Sequence, residues 1–286
     1  MTIAELSDAV EARLVAANLR QMAQLRPLLD AGYCLRAGQL LLEAKTIIIA
    51  TGFPVGETFE TDGPAGAIAL YRALEQRGAT CHLACADSLA SRLGTDYRVL
   101  HLQAFDHDSA RREAQSNCAA LQPDLIVCIE RPGLNADGQY YNMRGEDISP
   151  RCAIFDYYLS SAGCPTIAIG DGGNEIGMGK LAAAVGALDI RGAATSCDEL
   201  LVADVSNWGA YALIAMLDAL GGKGLLSAVR HRDTLAYLSS LGSVDGVTRE
   251  NTLTEDGLPA SAGDALLADL AELLHTFRTV PGGDRE

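Results

Sequence analysis

Apolar residues in this chain come in short, nearly unbroken runs. The runs are Thr46-Ile47-Ile48-Ile49-Ala50, Thr80-Cys81-His82-Leu83-Ala84-Cys85, Arg98-Val99-Leu100-His101-Leu102, Leu125-Ile126-Val127-Cys128-Ile129, Thr166-Ile167-Ala168-Ile169 and Leu200-Leu201-Val202-Ala203. Runs of this length and composition fit parallel strands covered on both faces. Segments with helical spacing separate them, at 64–77, 108–121, 150–162 and 208–220. A further helical stretch, 4–30, precedes the first run, and the tail from about 222 is helical with breaks at 242–246 and 256–259. The alternation predicts a single α/β domain over 1–286. Its sheet is doubly wound and mostly parallel with helices on both faces, a Rossmann-like three-layer sandwich. Pro64 after Asp62-Gly63 and Pro150 after Ser149 mark helix starts, and Gly78 and Gly163 mark helix ends.

The unusual residues stand just after the runs. Glu60-Thr61-Asp62-Gly63 follows the first, Glu130-Arg131-Pro132-Gly133 the fourth, Gly170-Asp171-Gly172-Gly173-Asn174-Glu175-Ile176-Gly177-Met178-Gly179 the fifth, and Ser206-Asn207-Trp208-Gly209 the sixth. Ligands of open α/β sheets bind outside the carboxyl ends of the strands, so these loops are expected to converge on a site. The glycine-rich segment matches neither phosphate-binding pattern. Glu175 stands where the dinucleotide fingerprint needs glycine, and Met178 where the phosphate loop needs lysine. No bound nucleotide is expected.

Asp171 and Glu175 read as an acid/base pair or, with Asp62, as ligands of a divalent metal such as Mn²⁺ or Mg²⁺. The competing structural reading makes Asp62, Asp171 or Asn174 a helix cap and puts Glu175 in a first turn. Arg131 and Arg144 share a loop of about twenty residues, a length usually kept for function. They are the candidates for gripping a substrate carboxylate, with local pairing to Glu130 or Glu146 as the alternative. Asn174 and Asn207 would orient the substrate, and the amides of Gly172 and Gly173 would stabilise an oxyanion.

A net charge of −15 argues against nucleic-acid binding. No apolar run is long enough to span a bilayer, and the acidic N-terminus has no signal or transit character. A cytoplasmic protein acting on a small molecule is expected, free or as a homo-oligomer. The eight cysteines form no Cys-x-x-Cys pair and read as reduced, mostly buried side chains.

Four of these segments carry a family resemblance. Thr61-Asp62-Gly63-Pro64, Tyr140-Tyr141-Asn142-Met143-Arg144, the glycine-rich segment through Lys180, and Val205-Ser206-Asn207-Trp208-Gly209 resemble the C-terminal domain of the D-glutamate cyclases. The turns at Asp245-Gly246 and Asp256-Gly257-Leu258-Pro259 resemble later motifs of the same domain. The resemblance spans about 40–260. It implies a carbon–oxygen lyase that closes D-glutamate to 5-oxo-D-proline with loss of water. Vertebrate members carry an additional N-terminal hydro-lyase-like region, so the resemblance also allows a separate partner of that kind. Two other classes stay open from the residues themselves. One is a non-catalytic module that binds an acidic amino acid or its lactam. The other is a metal-dependent phosphohydrolase or nucleotide enzyme.

Overall fold

The computed structural model describes residues 1–279 apart from 189 and 223. Its centre is a six-stranded, wholly parallel sheet. The strands are β1 (Thr46–Thr51), β2 (Thr80–Ala86), β3 (Val99–Leu102), β4 (Leu125–Ile129), β5 (Thr166–Gly170) and β6 (Glu199–Val202), in the spatial order β3-β2-β1-β4-β5-β6. All five residues of β4 and of β5 are buried, which is why they read as unbroken apolar runs. Edge strand β3 is the least buried.

Helices cover the sheet. Those used below are α1 (Ile3–Leu14), α2 (Tyr33–Glu43), α3 (Pro64–Arg77), α4 (His107–Leu121), α5 (Asp156–Ser161), α6 (Ser206–Gly221), α7 (His231–Ser240) and α8 (Ala260–Thr279). Helices α2 and α3 both pack on α6, while α4 packs on α5. Helix α6 is apolar nearly all round and buried over Ser206–Asp218, as a central helix between layers must be. One continuous core runs from Leu6 to Leu274. Among the described residues no helix is long and apolar enough to cross a membrane, and all eight cysteines are free.

Three expectations about elements need correcting. The helix expected over 4–30 ends at Leu14. The carboxylate of Asp204 captures the backbone amides of Ala17 (2.7 Å) and Leu19 (3.0 Å), and Asn18 and Gln21 take left-handed conformations. That diversion carries Arg20 out of the helical face and into the protein. The helix expected over 150–162 shrinks to α5, with a single 3₁₀ turn at Ser149–Arg151. Helix α2 and a short helix at Asp87–Leu93 lie outside the segments whose spacing predicts helix.

The sheet order reverses between β1 and β4, whose neighbours lead away in opposite directions. A crevice is expected there, at the carboxyl ends of the strands.

Candidate active site

The crevice is present. A cavity of about 420 Å³ opens at the ends of β1, β4 and β5. Its wall includes Phe53 and Glu60 after β1, Glu130 after β4, and Asp171, Asn174 and Glu175 after β5. The 130–149 loop contributes Asn142, Met143 and Arg144, and the tail contributes Gly246, Arg249 and Asp256. Asp256 and Gly257 form the turn of a tight hairpin, both with positive φ, which brings Asp256 to the wall.

The floor is acidic. Glu130 and Asp171 line the cavity, and Asp62 is buried beside them off the wall; each of the three offers a carboxylate oxygen within 4.8 Å of the others. Asp62 and Asp171 face one another closely enough to share a proton. The Ser206 amide donates to both, at 2.9 Å and 3.2 Å, and the Ser206 hydroxyl donates to Glu130 at 2.6 Å. The acids therefore sit at the positive end of α6, which favours negative charge. Glu130 holds a positive φ of 44°, a backbone conformation costly for a residue with a side chain.

Arg20 is the cation among these acids. Its guanidinium lies 2.7 Å from Asp171 and also binds Asp256, while its Nε donates to the Asp171 carbonyl. Burial works against its charge, but Asp171 and Asp256 outweigh burial and keep Arg20 protonated. One guanidinium cannot balance Glu60, Asp62, Glu130, Asp171 and Glu175 together. Burial first, then mutual repulsion, pushes Glu60, Asp62 and Glu130 up from the usual carboxylate range. Asp171 moves the same way, with Arg20 opposing. Each shift favours the protonated form, so the floor is disposed to share protons, as expected for crowded carboxyls. Glu60 stands out because, among the described residues, no side-chain hydrogen bond engages its carboxyl, although it is only 7 % exposed.

The remaining sequence candidates separate. Asn174 lines the cavity. Glu175 also lines it, but its two oxygens accept from the amides of Gly172 (2.8 Å) and Gly173 (2.7 Å). Those amides are therefore already engaged within their own loop and are not free for an oxyanion. This folding explains part of the glycine excess. Gly177 has φ +99°, and a Cβ there would overlap the Cβ of Ala168 in β5. Arg144 is on the rim, donating to the Val247 carbonyl at 2.8 Å. Arg131 is buried off the cavity wall and binds the carbonyls of Gly52 (3.0 Å) and Ala153, tying strand ends together instead of gripping a substrate.

Asn207 is also off the wall, and it locks two helices. Its Oδ1 accepts from the amides of Gly63 (2.9 Å) and Gly66 (2.6 Å) at the start of α3. In return Asp62, just before α3, accepts the Asn207 amide at the start of α6 at 2.7 Å. Each helix is thus capped by a side chain from the beginning of the other. The approach is close: a Cβ on Gly66 would come within 2.8 Å of the Ala210 Cβ. Trp208 is core, its Nε1 donating to Glu255 at 2.9 Å.

Arg20, Glu130 and Asp256 complete the floor, and the sequence alone marks none of them as a site residue. Arg20 carries no signal there, because the spacing around it is that of a helix. Glu130 reads as a local partner for Arg131, and Asp256 reads only as part of an Asp-Gly turn.

A family model described as D-glutamate cyclase-like, C-terminal, matches residues 12–271. The chain belongs to this family. It is 36 % identical over 210 residues to human mitochondrial D-glutamate cyclase, covering 64 % of this chain and 34 % of that protein. The chain thus spans about a third of that relative's length. Among solved structures, an exopolyphosphatase-related protein from Bacteroides fragilis aligns with 89 % of this chain and 62 % of its own, at 12 % identity and a TM-score of 0.44. BdcA in complex with NADPH aligns with 44 % of this chain and 52 % of its own, at 18 % identity and a TM-score of 0.28.

Three of the segments that carry the resemblance, Thr61–Pro64, the glycine-rich segment with Asp171 and Ser206–Gly209, build the acidic group and its helix cap. Crowding of acids there ties stability to pH. Burial raises Glu255, which underlies the Asn207 cap, to about 7 from an ordinary 4.5. Between those values the folded state holds a proton that the unfolded state releases, so stability falls as pH rises through the window and levels above it. Glu60, Glu130 and Asp171 act with the same sign. Thermal melts in EDTA should show a lower Tm at pH 8 than at pH 5.5; a higher Tm at pH 8 would contradict these protonation states.

Proposed function

We propose that this protein is a lyase that closes D-glutamate to 5-oxo-D-proline with loss of water. The observation that carries the reading is the buried Asp62–Glu130–Asp171 group, of which Glu130 and Asp171 line a substrate-sized cavity and Asp62 is off its wall. Family membership and the human relative's name supply the candidate reaction.

The chemistry asks for a proton relay. The C–N bond forms between the α-nitrogen and the carbon of the γ-carboxyl group, and a C–O bond of that carboxyl breaks. The ammonium gives up two protons, and the leaving γ-oxygen takes up two to become water. Crowded carboxyls whose proton affinity is raised can accept protons from the nitrogen and return them to the leaving oxygen. Asp171, paired with Asp62, receives a proton from the nitrogen. Glu130 and Glu60 lie on the wall as donors toward the γ-oxygen. Glu175 shapes the loop from which Asp171 projects. Rim arginines, Arg144 with Arg151 and Arg249, face the carboxylate that does not react.

Asp62, Glu130 and Asp171 offer only oxygen donors, a set that fits a hard divalent cation such as Mg²⁺ or Mn²⁺. When bound, such an ion would supply charge neutralisation and polarise the γ-carboxyl. We place the reaction in the cytoplasm, on the chain alone, as a homo-oligomer, or with a hydro-lyase-like partner.

Purified protein incubated with D- or L-glutamate, with and without Mn²⁺ or Mg²⁺, is expected to form 5-oxoproline from the D enantiomer, read by chiral chromatography. Lactam-induced thermal stabilisation without product under any of these conditions would replace the lyase by a binding module.

A further inference from the structure

One buried neutral acceptor on the cavity wall is satisfied by nothing in the protein. Among the described residues, buried side-chain atoms without a hydrogen-bond partner occur on Arg26, Tyr33, Thr51, Arg77, Arg131 and Asn174. Of these residues, only Asn174 lines the cavity. It is 2 % exposed, and the unpartnered atom is its carbonyl oxygen Oδ1. The amide cannot be turned over to relieve this. Its Nδ2 donates to the Tyr141 carbonyl at 2.8 Å, and a flipped amide would set two oxygens against each other.

A buried acceptor without a donor is unfavourable, and a ligand N–H arriving there removes the penalty. The rest of the cavity says what kind of ligand brings it. Carboxyls line the buried end, and Arg144, Arg151 and Arg249 are exposed at the mouth. Glu146 pairs with Arg249 there at 2.9 Å, which leaves Arg144 and Arg151 as the cations without a carboxylate partner among the described residues. A ligand with a carboxylate toward the mouth and a nitrogen donor toward the interior fits this polarity.

We propose that Asn174 Oδ1 accepts the ligand's N–H, so that the site selects acidic compounds with nitrogen, rather than oxygen, on the carbon beside the carboxylate. The inference rests on the lyase reading only for the carbon skeleton of the ligand. In an α-amino acid the donor is the ammonium group. In the lactam it is the ring N–H. The same acceptor therefore holds the nitrogen before and after ring closure, and it fixes the face from which that nitrogen meets the γ-carboxyl carbon.

The test compares two ligands by calorimetry. 5-Oxo-D-proline and the matching γ-lactone, 5-oxotetrahydrofuran-2-carboxylate of the same hand, share ring size and a single negative charge. They differ by N–H against a ring oxygen, which would face Asn174 as a second acceptor. The lactam is expected to bind at least about 10-fold more tightly to the unmodified protein. In Asn174→Ala the gap should narrow to within about 2-fold, chiefly through weaker lactam binding. If that variant does not fold, the ratio in the unmodified protein decides alone. Equal affinities there, or binding of neither ligand, overturn the inference, as does an undiminished gap in folded Asn174→Ala. A lactam preference without glutamate turnover removes the lyase reading and leaves this inference standing. Turnover without the preference removes only this inference.

Discussion

Asp171→Asn should lower the turnover of D-glutamate at least about 100-fold, the usual scale for losing a positioned acid or base. Asparagine keeps the shape and can still accept from the Ser206 amide, which reaches Asp171 at 3.2 Å. It cannot take a proton from the substrate nitrogen or share one with Asp62. Arg20 retains Asp256, so the cation is not left unpaired. Fold loss is therefore a poor explanation for an inactive variant, and circular dichroism with a thermal melt checks this directly. Near-normal kcat in folded Asp171→Asn would remove Asp171 from the proton relay. Glu60→Gln sharpens the point. Glu60 has no side-chain hydrogen bond to lose among the described residues and is repelled by Asp256 and Asp62. Its neutral replacement should cost activity while leaving stability at pH 8 unchanged or improved.

Asn207→Ala is expected to act on stability instead. The substitution strips acceptors from the Gly63 and Gly66 amides and a donor from Glu255, all of them buried. Gly63 keeps Asp62 and Glu255 keeps Trp208, so only the Gly66 amide is left unpaired, at about 1–3 kcal/mol. Each of the other lost bonds costs about 0.5–1.5 kcal/mol, which makes roughly 3 kcal/mol in all. For a domain of this size that corresponds to about 6–12 °C in Tm. Because Asn207 lies off the cavity wall, KM for D-glutamate should stay within about 2-fold in the folded fraction. A large rise in KM with an unchanged melt would return Asn207 to the substrate.

What can be read in the chain follows its physics. Parallel strands buried on both faces leave unbroken apolar runs, so the runs match β1, β4 and β5 to within a residue at their ends. Helix α3, framed by Pro64 and Gly78, has the ends its sequence marks. The loops after the strands converge, because strand ends in such a sheet share one edge. The 4–30 stretch misleads because spacing reports a helical face and not a distant carboxylate. Asp204 diverts the chain after α1 from 187 positions away, and no local pattern carries that information. Arg20 is hidden by the same event. Arg131 and Asn207 mislead differently. A charged or polar residue near a glycine at a strand end looks the same in sequence whether it meets a ligand or a neighbouring backbone. Only the tertiary packing separates the two cases, with Arg131 on the carbonyls of Gly52 and Ala153, and Asn207 on two helix amides. The family resemblance lies in contiguous segments, so it is legible without the fold.

Expulsion of a γ-carboxyl oxygen as water over the acidic floor is tested most directly with D-glutamate labelled with ¹⁸O at both γ-oxygens. Mass spectrometry of the lactam and of the released water gives the readout. The expected result is 5-oxo-D-proline retaining one ¹⁸O, with the other in water, and loss of this product in Asp171→Asn. Unchanged doubly labelled glutamate, with no lactam formed with or without a divalent cation, would contradict it.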